Sequence, residues 1–310
     1  MRPTLRQLQY LIAIAETGHF GDAAKRVNVS QPSLSGQVAA MEDELGVVLV
    51  ERGRHGALLT PKGEEIVRRA RLILRDMEDL KLAARHVPGQ LMGRLRLGVL
   101  PTVGPYLLPH AARRLHASYP ELRFSVREER VTELETHLHE GLFDTIISTA
   151  EDHPNCRFES LFEDQLWISM APDDPLALES GPVVLSDLRG RALLSLGYWH
   201  WHTLDLKVQA IAEASGAYVS TEYEGTTLDA IRLIAEMGAG LAILPSLYTL
   251  LEVRRDPHMI VRRIDHPLAV RKVSLIWRDT SSLDASLRNL AGILREVAAD
   301  VLRDGIARRE

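Results

Sequence analysis

The chain has 310 residues, 45% of them apolar and 25% charged, with a formal net charge of −5. That length exceeds one small core and implies more than one domain. The composition excludes a disordered or fibrous chain, and the negative charge excludes a protein that binds nucleic acid along its whole length.

A single cysteine, Cys156, excludes an intrachain disulfide and fits a reducing compartment. There is no run of about eighteen apolar residues and no signal-type cleavage site, so a cytoplasmic protein without a membrane partner is expected. Charge is unevenly placed. Residues 1–90 hold 13 Lys and Arg against 11 Asp and Glu, and the remaining 220 hold 24 against 31. The asymmetry favours a head that works near a polyanion.

Leu8, Leu11, Ile12 and Ala15 fall at helical spacing and predict a helix over 4–17 that ends at Gly18. A short helix near 21–27 turns Ala23, Ala24 and Val27 inward. Ser30 suits a cap and Pro32 a first turn. Leu34, Val38, Met41 and Leu45 then form the inner stripe of a third helix, closed by Gly46. The start of this helix offers Gln31, Pro32, Ser33, Ser35 and Gln37, mostly short or neutral hydrogen-bonding groups of the kind that read base edges in a major groove. The stretch LVERGRHGALLT is expected to form a hairpin wing, with Arg52, Arg54 and His55 placed to meet phosphates. The same pattern also fits a purely structural three-helix domain with a polar surface.

Thr60 and Pro61 open a long helix. Along it Ile66, Ala70, Ile73, Met77, Leu80 and Ala84 recur at intervals of four and three, the seam of a short coiled coil. At 1.5 Å per residue, roughly 25 residues span about 38 Å. A stripe buried within one domain is the ordinary source of such a pattern. Here HVPGQLMG follows and breaks the helix, which favours pairing with a second copy beside a hinge.

From Arg94 the pattern changes. RLRLGVL alternates as a strand does, and further strands are expected near 122–127, 144–148, 166–171, 192–196, 219–223, 241–244 and 272–277. Helices are expected near 104–117, 131–140, 204–214 and 227–237. A last helix carries Leu283, Leu287, Leu290, Leu294, Val297 and Val301. The alternation implies βαβ units and parallel sheets. Three segments put hydroxyls and amides where a strand end meets a helix start: Thr102-Val103-Gly104, Ser148-Thr149, and Thr226, with Asp229 completing a cap on Thr226. Such groups suit a small anion, although Ser and Thr at helix starts are ordinarily caps.

Residues 198–203 read YWHWHT. His200 and His202 have the spacing of a metal pair on a strand edge, but no third ligand lies nearby in sequence. No metal, cofactor or catalytic group is expected, since no phosphate loop and no nucleophile–base motif is present.

The long ordered run AETGHFGDAAKRVNVSQPSLSGQVAAMEDELGVVLVER resembles the winged helix-turn-helix of LysR-type transcriptional regulators. Gly36 departs from the pattern, standing where many members carry a basic residue. The resemblance implies a DNA-binding domain over 1–60, a linker helix over 61–87 that joins a homodimer, and a hinge over 88–93. It further implies a two-lobed α/β effector domain over 94–310, of the architecture found in periplasmic binding proteins. Lobe I would take about 94–163 and 268–310, and lobe II 164–267. Double-stranded operator DNA, a homotetramer, RNA polymerase and an interlobe effector are the partners it implies.

Within the family, GRLRLGVLPTVGPYLLPHAARRLHASYPEL and GAGLAILP are similar to the OxyR, peroxide-sensing branch. There a reactive cysteine follows a histidine in a loop before a helix, and a resolving cysteine lies on that helix. His202 takes the histidine's place, Thr203 the reactive cysteine's and Ala212 the resolving one's. A threonine hydroxyl has no thiolate chemistry at neutral pH. The expectation is therefore a LysR-type regulator without a disulfide switch. A small anionic effector would control it noncovalently, held by Thr102, Val103, Gly104, Thr149, His202, Thr203 and Thr226. Two alternatives stand beside it: oxidant sensing through Cys156 or methionine, and a solute-binding protein on the same two lobes. For YWHWHT itself three readings stay open: an effector wall, a metal pair, and aromatic packing against a subunit.

Overall fold

A computed structural model describes residues 3–53, 56–83, 91, 93–196, 203–223 and 225–306. The chain forms two compact units, residues 1–87 with 139–142, and residues 88–138 with 143–310.

The first unit begins with α1 (Leu5–Thr17), α2 (Phe20–Arg26) and α3 (Gln31–Leu45). Thr4 and Gln7 form a reciprocal capping box on α1. Asn28, at φ 56°, makes the left-handed turn between α2 and α3, which Asn tolerates better than most residues. Ser30 accepts from the Ser33 amide at 3.3 Å to start α3, and left-handed Gly46 ends it. β1 (Val50–Gly53) and β2 (Gly56–Leu59) pair antiparallel as the wing. Glu42 pins the wing to α3, its carboxylate accepting the Leu49 and Val50 amides at 2.7 and 3.0 Å. Leu11, Ile14, Leu34, Met41 and Leu49 fill the core.

α4 (Pro61–Ala83) starts on Thr60, whose hydroxyl accepts the Gly63 amide at 2.9 Å. Gly63 is required by close approach, because a Cβ there would sit 2.1 Å from the Leu49 carbonyl oxygen. Val67 and Ala70 pack into the head, whereas Ile73 and Leu80 further along are 45% and 64% exposed. Ala84 and the hinge lie outside the described residues, Leu91 and Gly93 apart.

The second unit contains β3 (Gly93–Val99), α5 (Gly104–Ser118), β4 (Leu122–Glu128), α6 (Val131–His139), β5 (Thr145–Thr149), β6 (Cys156–Met170) and β7 (Ala192–Leu194). It continues with α7 (Thr203–Ser215), β8 (Tyr218–Val219), α8 (Leu228–Glu236), β9 (Leu241–Pro245), α9 (Ser246–Arg255), β10 (Ile260–Arg263), β11 (Val270–Arg278) and α10 (Asp284–Ile306). Its architecture is the two-lobed α/β fold of periplasmic binding proteins. In lobe I, β4, β3 and β5 run parallel, β11 is antiparallel to β5, and β6 antiparallel to β11. β6 is long enough to serve both lobes. Up to Gln165 it pairs with β11, and from Leu166 onward it lies between β9 and β10. Leu287, Leu290, Leu294, Val297 and Val301 of α10 close the lobe I core.

Parallel sheets were expected; parallel pairs are present in both lobes, and the sheet as a whole is mixed. The strands that run between lobes must return, which makes β6 and β11 antiparallel to their neighbours. β6 also starts ten residues before the expected 166, and α9 and β10 were not anticipated.

Candidate functional site

Two surfaces carry the residues singled out by sequence. The first is the start of α3. Gln31, Pro32, Ser33 and Gln37 are exposed there and Ser35 half-buried, while Leu34 and Val38 point into the core. The helix thus presents a short polar edge held by a packed apolar one. The backbone of Arg52 lies in β1 opposite Ala57. Its side chain, with Arg54 and His55, lies outside the described residues.

The second is a cavity of about 290 Å³ between the lobes. Lobe I contributes Thr102, Tyr106, Glu128, Arg130, Thr149, Asp152 and Arg271, and lobe II Leu196, Leu204, Thr226, Thr227 and Asp229. Apolar walls with a few fixed polar groups are the usual make-up of a small-molecule site.

Several of the polar groups are already engaged, in a pattern that changes several expectations. Thr102 lines the cavity, and its hydroxyl accepts from Arg271 Nη2 at 3.1 Å. The Val103 and Gly104 amides, expected to be open to an anion, both donate to the Leu100 carbonyl at 2.9 Å. They close the turn that starts α5 and are not among the cavity's lining. Thr149 is buried and donates its hydroxyl to Asp152.

Thr203 was expected to offer its hydroxyl to an effector. Instead both its amide and its hydroxyl donate to Asp152 Oδ1, at 3.1 and 2.7 Å. Asp152 therefore caps α7 from 51 residues away, tying the end of lobe I strand β5 to lobe II. A carboxylate at a helix N-terminus is favoured by the helix dipole as well as by its hydrogen bonds. Thr226 is exposed on the cavity and is not the cap of α8. Thr227 takes that role, accepting the Ala230 amide at 3.2 Å. Asp229, expected to complete the cap, instead accepts from the Tyr248 hydroxyl at 2.6 Å. Of YWHWHT only Thr203 is described. Tyr198, Trp199, His200, Trp201 and His202 lie outside the described residues, and so do the readings placed on them.

Beneath Thr102 lies a buried ion pair. Asp164 on β6 and Arg271 on β11 meet at 2.7 Å, with exposures of 0% and 2%. Asp164 also accepts the amide and hydroxyl of Ser246, at 2.8 and 2.6 Å. This network joins the two strands that pass between lobes to the start of α9. Sequence reasoning missed Asp164, Arg271, Asp152 and Tyr106. The one usable signal was Arg271, a basic residue opening the apolar strand VRKVSLIW.

A second carboxylate sits near Asp152. Burial first, and then the charge of Asp152, push Asp205 up to about 7, against a hydrogen bond from Ser195 that favours ionisation. Folding therefore holds this proton more tightly than the unfolded chain does. The resulting stability is complete below about pH 4 and is lost as pH rises through about 7. Asp205→Asn is expected to leave the melting temperature near wild type at about pH 4. At pH 8 it should raise it by about 5 °C, on the order of 2 kcal/mol once cleft water is allowed for. Equal shifts at both pH values would contradict this assignment.

Comparison with known proteins matches residues 5–64 to the bacterial regulatory helix-turn-helix family of lysR type, and residues 88–299 to the LysR substrate binding domain. The chain belongs to the LysR family of transcriptional regulators. It is 35% identical over 292 residues to the DNA-binding transcriptional dual regulator OxyR of Escherichia coli K12, covering 94% of each chain. It is 32% identical to a hydrogen peroxide-inducible genes activator of Haemophilus influenzae, covering 97% of this chain and 99% of the relative. A full-length OxyR variant from Pseudomonas aeruginosa shares the fold with a TM-score of 0.74 at 30% identity, covering 95% and 98% of the two chains. This LysR-type regulator is thus a DNA-binding protein with an effector domain, and not an enzyme. Its one cysteine, Cys156, lies at the start of β6, far in sequence from Thr203.

Proposed function

We propose that this regulator reports occupancy of its interlobe cleft by noncovalent contacts, without a thiol switch. The observation that carries the reading is Thr203. At the place that the sequence assigns to the OxyR-type reactive cysteine stands a buried hydroxyl bonded to Asp152, which itself lines a cavity large enough for a small ligand. A ligand that binds one lobe arrangement better than another shifts the population toward it, which is all that regulation requires.

The relatives' names point to peroxide as the signal. Two features weigh against carrying that over through sulfur. Cys156 is half-buried, and burial, with the Glu135 carboxylate, raises its thiol against the opposing charge of Arg278. Peroxide attacks thiolate, so a raised thiol is slow to react.

The DNA-binding half of the proposal assigns base contacts to Gln31, Pro32, Ser33, Ser35 and Gln37, and backbone contacts to Arg52 and Arg54. Two heads would be joined through the exposed α4 seam in a homodimer, or a tetramer, acting in the cytoplasm beside RNA polymerase. A salt-titrated gel shift on the protein's own upstream DNA tests it. Gln31→Ala with Ser33→Ala is expected to lower specific affinity at least tenfold, given about 1–3 kcal/mol per good base contact, with the melting temperature unchanged. Unaltered specific binding by the double variant would remove these residues from the interface.

A further inference from the structure

We propose that the cleft takes a small organic cation, a protonated amine on a short apolar chain, in place of the anion that its hydroxyls first suggest. The proposal rests on the reading of the cleft as an effector site, and its test separates the two.

The hydroxyls and amides that suggest an anion are filled from within. The start of α7 is occupied by the Asp152 carboxylate, which takes the Thr203 amide and hydroxyl and the Thr149 hydroxyl. The Val103 and Gly104 amides are spent on Leu100. Arg271 is neutralised by Asp164 through two bonds, from Nε at 2.8 Å and Nη2 at 2.7 Å, before it reaches Thr102. An incoming carboxylate would have to displace one of these internal carboxylates and leave it buried without its partners, at a cost that ordinary binding does not recover.

What the cavity still offers is two carboxylates and an aromatic ring against one guanidinium. Glu128 from lobe I and Asp229 from lobe II both line it, Tyr106 lines it too, and Arg130, exposed, is the one lining cation not already paired among the described residues. The Tyr248 hydroxyl fixes Asp229 through Oδ1, and Oδ2 has no partner among the described residues. Tyr106 feels this field. Its phenol is pushed up to about 12, by burial and then by the charges of Asp229 and Glu252, with Glu128 adding to them and Arg255 opposing. An ammonium group beside Tyr106 would meet two carboxylates from opposite lobes and the face of a ring, a combination that suits cations. Leu196 and Leu204 would cover an alkyl chain. Because Glu128 and Asp229 belong to different lobes, one ammonium between them favours the closed arrangement.

The test is calorimetry on the full-length chain with two probes of matched length, n-pentylammonium and n-pentanoate. The proposal predicts at least tenfold tighter binding of pentylammonium, and a loss of about tenfold in each of Glu128→Gln and Asp229→Asn. The Asn side chain still accepts from Tyr248, so the unliganded melting temperature should hold. Pentanoate binding as tightly as pentylammonium would overturn the cation assignment and leave the cleft reading standing. Pentylammonium binding that ignores both substitutions places it elsewhere and also overturns the assignment. No binding of either probe up to about 20 mM, weaker than any affinity of interest, overturns the assignment and the cleft reading together.

Discussion

Asp164→Ala is expected to cost the C-terminal unit about 3–5 kcal/mol and to lower its melting temperature by about 10 °C. The Asp164 carboxylate is fully buried and holds three groups at once: the Arg271 guanidinium, and the Ser246 amide and hydroxyl. Its removal strands a cation that is 2% exposed, and an uncompensated buried charge is among the most damaging lesions a core can suffer. Asp164→Asn keeps an acceptor for Ser246 and loses the charge, so it should fall between wild type and the alanine variant. The position adds a functional consequence. β6 changes partners between Gln165 and Leu166, so the ion pair stands where the lobes join, and Arg271 extends it to Thr102 on the cavity. Denaturant unfolding gives the measurement. A loss under about 1 kcal/mol for the alanine variant would mean that another group takes up the guanidinium.

Asp152→Ala is the second large effect, expected at about 2–3 kcal/mol. Three donors lose their acceptor: the Thr149 hydroxyl and the amide and hydroxyl of Thr203. A hydrogen bond to a charged group contributes about 1.5–3 kcal/mol, and part of that should be recovered by water entering the cleft. The same substitution removes a charge that raises Asp205. The pH dependence of stability should therefore shift to a midpoint below about 7 in the Asp152→Ala protein, as well as starting from a lower baseline. Asp152→Asn should soften the first effect and reproduce the second. Melting curves between pH 5 and 8 separate the two contributions. A variant with wild-type stability would show that α7 needs no cap from the other lobe.

Much of the fold was legible because its signals are local. The helices of the head are set by caps and glycines a few residues from their stripes, as Gly18, Ser30 and Gly46 illustrate, and their positions follow directly. β6 was foreshortened because none of its first five residues is buried. Phe158 is 54% exposed there among charged neighbours, so the stretch reads as surface loop. α9 begins on Ser246 immediately after β9, with its start held by distant Asp164 in place of a side-chain cap of its own. β10, at four residues, is too short to show a period.

The site divides in the same way. Thr102, Thr149 and Thr226 were found at the cavity because strand ends and helix starts mark such places. What those hydroxyls bond to was not legible, since Asp152 reaches Thr203 across 51 residues and Arg271 reaches Thr102 across 169. Long-range pairing also accounts for the change in the inferred ligand. Hydroxyls judged alone suggest an anion, and only their partners reveal that carboxylates already fill that role.

The central claim is that DNA binding by this chain answers to cleft contacts and not to sulfur oxidation. It is tested most directly by footprinting its own upstream DNA with the wild-type and Cys156→Ser proteins, each with and without hydrogen peroxide. Four superimposable footprints are predicted. A peroxide-dependent change in the wild type that vanishes in Cys156→Ser would contradict the account.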